Sequence, residues 1–167
     1  MAWASVWNGT TNTAWYNTTD TEFTITTAEQ LAGLAQLVNE GNGFNGKTIN
    51  LGANIVLNNT VGWESWGEDT GGLRSWTPIG NFVRSFSGTF DGKGHEVSGI
   101  YISITSDISF ASSRQGLFGY VGTGGTVKNV GVVDFYIKGD QSVGGVAGLN
   151  GGTIANSYST GTVSGTG

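Results

Sequence analysis

Carboxylates and indoles crowd one short stretch of this sequence. Glu64, Glu68 and Asp69 lie within Trp63-Glu64-Ser65-Trp66-Gly67-Glu68-Asp69, with Arg74 close behind. Two carboxylates flanking a sugar can hydrolyse a glycosidic bond, one as acid and the other as base or nucleophile. The same oxygens could also hold calcium, which takes oxygen ligands. Trp63, Trp66 and Trp76 recur beside them and are followed by Pro78-Ile79-Gly80. Flat aromatic faces set against sugars would make this a glycan-binding loop. Each group also has a plainer role, because acidic loops are commonly solvated and indoles bury large areas in packing. Trp3, Trp7 and Trp15 invite the same packing explanation.

Other chemistry fails for want of partners. His95 is the only histidine, in the corner-like run Gly92-Lys93-Gly94-His95-Glu96, and there is no cysteine. A catalytic triad or a histidine-based metal site needs neighbours that this chain does not carry, so His95 reads as an exposed corner residue. Gly122-Thr123-Gly124-Gly125 lacks the lysine and the helix of a phosphate loop. Thr-x-Thr does not recur at a fixed spacing, which argues against a flat ice-binding array. No metal and no cofactor is expected.

Composition narrows the class. Of 167 residues 30 are glycine, one is proline and none is cysteine. Glycine averages roughly 7% in proteins, so this is a large excess. Without a three-residue period or proline it is not collagen, and without cysteine it is not a disulfide scaffold. A net charge of −5 with seven basic residues disfavours nucleic acid and anionic membranes as partners. No run reaches the ~18 apolar residues of a membrane span, so membrane insertion is not expected. With 37% hydrophobic and 11% aromatic residues the chain can build a core.

The elements that must position these residues are mostly short strands. One helix is predicted over 27–41: Leu31, Leu34, Ala35 and Val38 share a face, Thr27 with Gln30 or Thr26 with Glu29 can form a capping box, and Gly41 stops it. An aromatic-rich segment, 1–26, precedes it. Downstream, β-type runs alternate with Gly and Asn turns, and Ile100-Tyr101-Ile102-Ser103-Ile104 places three isoleucines on one face.

Repetition decides among all-β architectures. Gly125-Thr126-Val127-Lys128-Asn129 recurs as Gly152-Thr153-Ile154-Ala155-Asn156, and Gly116-Leu117-Phe118-Gly119 as Gly145-Val146-Ala147-Gly148. Gly94-His95-Glu96-Val97-Ser98-Gly99 reads as an earlier relative. A unit of ~25–30 residues with several short strands cannot bury its inner face alone, but stacked units can. The expected fold is an all-β, right-handed parallel β-helix, or solenoid, with an N-terminal amphipathic helix capping its open end. One domain is expected over 1–167, with coils over 44–165 and repeats at about 116–139 and 144–165. Gly119 and Gly148 mark matched corners. Asn129 and Asn156 occupy the same place in their units and are expected to stack as a hydrogen-bonded ladder.

The stretch Gly144-Gly145-Val146-Ala147-Gly148-Leu149-Asn150-Gly151-Gly152-Thr153-Ile154-Ala155-Asn156-Ser157-Tyr158-Ser159-Thr160-Gly161-Thr162-Val163 resembles the GLUG repeat of bacterial surface proteins, including adhesin-like proteins and IgA-protease-type metallopeptidases. Gly116-Leu117-Phe118-Gly119 is a second match. The run from Phe86 to His95 resembles the coil before such repeats, and Ala28-Glu29-Gln30-Leu31 with Phe44-Asn45-Gly46-Lys47-Thr48-Ile49 their N-terminal start. Val146-Ala147 departs from the commoner Leu-Val, and Ser157 stands where cysteine is frequent. The resemblance implies an extracellular adhesion or stalk module, cell-surface or secreted, within a longer protein. Its partners would be a glycan or a host or cell-surface protein, with end-to-end contact to further repeats or domains. It implies no catalytic residues, and the HExxH of the metallopeptidases is absent. The alternatives are a carbohydrate-binding module using Trp63, Trp66 and Trp76, and a glycosidase or lyase using Glu64, Glu68, Asp69 or Asp91.

Overall fold

Phe23 and Ile25 alternate with Glu22 and Thr24, and that period of two gives the first strand, β1 (Glu22–Ile25), one buried and one wet face. A computed structural model describes residues 4–104 and 113–166; Trp3 of the N-terminal aromatic group lies outside them. After β1 come α1 (Ala28–Asn39), β2 (Thr48–Leu51), β3 (Ile55–Val56), a 3₁₀ turn (Trp63–Ser65), β4 (Thr89–Asp91), β5 (Glu96–Ser98) and β6 (Tyr101–Ser103). Then follow β7 (Arg114–Gln115), β8 (Phe118–Val121), β9 (Thr126–Lys128), β10 (Gly131–Gly139), β11 (Ser142–Val143), β12 (Ala147–Asn150), β13 (Thr153–Ala155) and β14 (Tyr158–Gly165). The chain is mostly β with one α-helix among the described residues.

Every strand pairing among the described residues is parallel. One sheet runs β1-β2-β4-β9-β13, and another β14-β10-β5-β3 with β6 also on β10; β11 pairs β7 and β12 pairs β8. Parallel neighbours cannot be joined by a hairpin, so the chain must travel away and return between paired strands. Register turns this into columns of like side chains. Phe23, Ile49, Phe90, Val127 and Ile154 lie side by side on the buried face. Thr48, Thr89, Thr126 and Thr153 form a column on the other face of the same strands. In the second sheet Ile102, Ile137 and Val163 align. Between the sheets a chain of rings runs Phe44, Phe86, Phe118, Phe90, with centroids 5.3–6.3 Å apart. These residues belong to one hydrophobic cluster that extends from Trp7 to Ile137.

The helix forms where its periodicity places it. Thr27 is the N-cap: its hydroxyl accepts from the Gln30 amide, and Gln30 Oε1 accepts from the Thr27 amide, so this is the capping box chosen of the two. Gly41, at φ 116°, ends it. Leu31, Leu34 and Val38 are fully buried in the common core. Gly33, which costs a helix about 1 kcal/mol relative to alanine, sits where the N-terminal segment crosses: a Cβ there would lie 2.0 Å from the Asn12 carbonyl oxygen. The Asn12 amide in turn donates to the Glu29 carbonyl at 2.8 Å.

The relationship among the early units differs from the sequence alignment. Gly94–Gly99 is not the neighbour of Gly125–Asn129. Thr126–Lys128 lies on Thr89–Asp91, whereas Glu96–Ser98 lies on Gly131–Val133. Paired positions are 37 residues apart from Thr89 to Thr126 but 27 apart from Thr126 to Thr153, so the earlier turn is out of step with the later spacing and similar local composition misaligned it.

Candidate functional site

The loop between β3 and β4 carries the residues singled out for sugar or cation chemistry. It is anchored at its base by Asn58, whose amide donates to the Arg74 and Gly99 carbonyls at 2.9 Å each, while its own oxygen accepts from the Arg74 amide at 2.8 Å. Further along, it folds onto the outer face of β6 and β10. The Tyr101 hydroxyl lies 2.9 Å from the Gly67 and Glu68 carbonyls, Ser103 donates to Glu68 at 3.0 Å, and Lys138 pairs with the Glu68 carboxylate. Tyr101 stacks on Tyr136 at 5.8 Å, and Trp66 meets Tyr101 edge-on at 6.2 Å. Burial under this loop, reinforced by the Glu68 charge, pushes the Tyr136 hydroxyl pKa upward. Glu68 is therefore a clamp residue.

The three tryptophans do not share a surface. Trp63 and Trp66 are half-buried on the loop. Trp76 is 4% exposed, meets Trp7 edge-on at 6.0 Å and donates its indole N–H to the Leu117 carbonyl at 3.2 Å. Trp7 and Trp76 together line a recess of about 430 Å³ with Gln36 and Asn39 of α1 and Glu40 at its C-cap. Sequence reasoning missed this recess, since nothing local joins Trp7 to Trp76. Tyr101 and Ser103 do have a signal in sequence: they alternate with the three isoleucines and so must face outward.

The acidic residues are dispersed. Glu64 and Asp69 are exposed. Asp134, at a register irregularity in β10, has its carboxyl pKa raised by partial burial and then by the charges of Glu64 and Glu96. Among the described residues no three His, Asp or Glu side chains converge as a metal-ion ligand set. His95 Nδ1 lies 3.2 Å from Asn54 Oδ1. It borders a second recess of about 400 Å³ with Thr26, Thr27 and Ile55.

Asp91 is the most heavily used carboxylate. It is buried, accepts from the Asn129 side chain and the Lys93 amide at 2.9 Å each, and lies 3.3 Å from the Lys93 and 3.6 Å from the Lys128 ammonium. Burial by itself would raise its pKa, but these hydrogen bonds and the Lys93 charge outweigh it and hold the carboxyl below its usual range. Asn156 reaches Asn129 Oδ1 at 3.5 Å, so Asp91, Asn129 and Asn156 form a column. Asn129 and Asn156 have φ of 54° and 48°, the left-handed region that asparagine tolerates.

Asn129→Gly keeps that backbone and removes the bond to Asp91, with an expected cost of about 1.5 kcal/mol at neutral pH. A depressed carboxylate pKa contributes stability that is complete above the ordinary value of 3.8 and lost as pH falls through the folded value. The penalty of Asn129→Gly therefore shrinks in acid. Urea midpoints at about pH 7 and about pH 3 measure this, and Asn129→Ala should cost about 1 kcal/mol more at both through backbone strain.

Gly119 and Gly148 lie next to each other, between the pairs Phe118–Ala147 and Tyr120–Leu149 of β8 and β12. A Cβ on Gly119 would meet the Gly80 carbonyl oxygen at 2.3 Å, and one on Gly148 the Ser142 oxygen at 2.6 Å. Both glycines permit close approach of backbones. Ser157 donates to the Ala155 carbonyl at 2.9 Å, a local turn contact that needs no sulfur.

Of these turn asparagines and close-approach glycines, Asn156 and Gly148 fall within residues 139–164, which match the GLUG motif and span β11 to β14. The chain carries the GLUG motif. Over 161 residues, 95% of this chain, it is 32% identical to halomucin of Haloquadratum walsbyi. Over 91 residues, 53% of this chain, it is 34% identical to a protein of Evansella cellulosilytica named as a Gly-rich membrane protein. The GLUG-bearing chain spans only 2% of the first relative's length and the match 10% of the second's. No solved structure matches it. Among the described residues no helix is long and apolar enough to cross a membrane.

Proposed function

We propose that this chain is a non-catalytic module of an extracellular surface protein, built as a right-handed parallel β-solenoid that acts as a stiff adhesion or stalk element. The observation that carries the reading is the in-register parallel columns, which tie successive GLUG-like units into one continuous core. Such a stack transmits load along its axis through many backbone hydrogen bonds and presents its inserted loops sideways. The names of the relatives, a halomucin and a Gly-rich membrane protein, support a place at the cell surface. Two of the four carboxylates named for the enzymatic alternative are engaged in structure, Glu68 with Lys138 and Asp91 with Lys93, Lys128 and Asn129, while Glu64 and Asp69 are exposed.

The carbohydrate-binding alternative rests on Trp63 and Trp66, because Trp76 is in the core. Two experiments test the surface assignment and the enzymatic alternative. On intact cells of the source organism, a membrane-impermeant antibody against this chain should label the surface. A polysaccharide panel incubated with the protein should release no reducing ends. Labelling only after lysis would contradict the surface assignment. A glycan retained by the protein and lost in Trp66→Ala would move the loop to the binding reading.

A further inference from the structure

Two recesses adjoin where α1 meets the segment from Trp76 to Phe82. The first, of about 430 Å³, is the one lined by Trp7 and Trp76. The second, of about 310 Å³, is lined by Pro78, Asn81, Phe82 and Arg114 among others. Asn39 and Thr77 line both, so the two form one cleft. Each volume falls within the roughly 300–1,000 Å³ of small-ligand sites.

One face of the helix lines the first recess. Ala32, Ala35, Gln36 and Asn39 follow i, i+3, i+4 and i+7, and Glu40 at the C-cap continues the row. Alanine at 32 and 35 leaves room that a larger side chain would fill. Trp7 and Trp76 belong to the core and also line this recess, but their N–H groups are spent: Trp7 donates to the Thr10 carbonyl at 2.7 Å and Trp76 to that of Leu117. What they add is therefore apolar. The polar lining is held in place by its own bonds. Thr11 donates to Gln36 Oε1 at 2.8 Å, and Gln36 donates to Glu40 Oε1 at 3.1 Å. Asn39 ties the helix to the facing segment, donating to the Pro78 carbonyl at 3.1 Å and accepting from Asn81 at 3.3 Å. A side-chain amide has two N–H groups and two lone pairs, and these bonds use one of each on Gln36 and on Asn39.

We propose that this cleft binds a neutral oligosaccharide, with one pyranose in the tryptophan recess and the next beside Phe82. The inference goes beyond the stalk reading, and it uses neither Trp63 nor Trp66, on which the loop-borne alternative rests. A pyranose carries an apolar C–H face and hydroxyls that both donate and accept, which suits indole and alanine carbon beside amides, a hydroxyl and a carboxylate. An anionic ligand would find no basic partner in the first recess, where Glu40 is the one charged residue among those described. A wholly apolar ligand would cover the polar lining without bonding to it, at a cost. In the second recess Phe82, 44% exposed, supplies aromatic surface, and Arg114, 4.6 Å from the Phe82 ring centroid, adds donors.

The test titrates the ¹⁵N-labelled protein with neutral gluco-, manno- and N-acetylglucosamine oligosaccharides, from mono- to tetrasaccharide. The chain has six tryptophans, so indole N–H signals report where a sugar sits. At least one series should shift the Trp7 and Trp76 indoles and the Phe82 amide saturably, with Trp63 and Trp66 unmoved. Affinity should rise about tenfold from mono- to disaccharide as the second recess fills. Gln36→Ala and Phe82→Ala alter exposed side chains and should each weaken binding about fivefold, with the rest of the spectrum unchanged. No saturable shift with any series, or unchanged affinity in both variants, would overturn the proposal. Shifts confined to Trp63 and Trp66 would overturn it in favour of the loop. Tetramethylammonium shifting Trp7 and Trp76, with the effect lost in Glu40→Gln and no sugar bound, would overturn it in favour of an organic-cation site. Each of these failures leaves the stalk reading standing.

Discussion

Phe118→Ala is expected to lower the unfolding free energy by about 4 kcal/mol. The Phe118 ring is completely buried and lies 5.3 Å from both Phe86 and Phe90, joining the rings from the two sides of the core. Its backbone belongs to β8, which pairs with β12 and takes an isolated bridge from Ile79. Removing the ring leaves a cavity that rigid parallel strands cannot close, so the lost transfer energy and the cavity both count. Ile154→Ala provides the contrast. Its side chain already keeps part of its area in water, so the cost should be about 1 kcal/mol. Urea denaturation with unchanged m-values would measure both, and equal penalties would mean that Ile154 is covered as well as Phe118 is.

The second large effect comes from adding a single methyl group. Gly119→Ala would place a Cβ 2.3 Å from the Gly80 oxygen and 3.1 Å from the Arg114 oxygen, both backbone atoms. Backbone held by neighbouring strands cannot swing aside as a side-chain tip can, so we expect a loss of about 3 kcal/mol. Gly67→Ala is the control, since nothing lies within 4 Å of a Cβ there. It should change stability by less than about 0.5 kcal/mol. Thermal denaturation of the two variants side by side reads the difference. A neutral Gly119→Ala would mean that β8 and the Gly80 turn are not in contact.

These expectations show how far the sequence carried the account. The helix was legible because Leu31, Leu34 and Val38 obey a helical period and Thr27, Gln30 and Gly41 mark its ends. The similarity of Gly125–Asn129 to Gly152–Asn156 was legible because their segments are neighbours with little inserted between them. The earlier layers were not, since paired positions are 41 residues apart from Thr48 to Thr89 and 37 from Thr89 to Thr126, and Thr89–Asp91, with its aspartate, has little likeness to Thr126–Lys128 beyond threonine. The tryptophans show the same limit. Proximity in sequence joined Trp76 to Trp63 and Trp66, whereas packing joins it to Trp7. Glu68 likewise looked like an acid in a loop, and its pairing with Lys138 depends on a strand far along the chain.

The central claim is the stacking register, and cross-strand NOEs in the isotopically labelled chain test it most directly. The account predicts contacts from Val127 to Phe90 on one side and to Ile154 on the other, with the parallel pattern of backbone NOEs. Contacts placing Thr126–Lys128 beside Glu96–Ser98, or an antiparallel pattern at either neighbour, would contradict it.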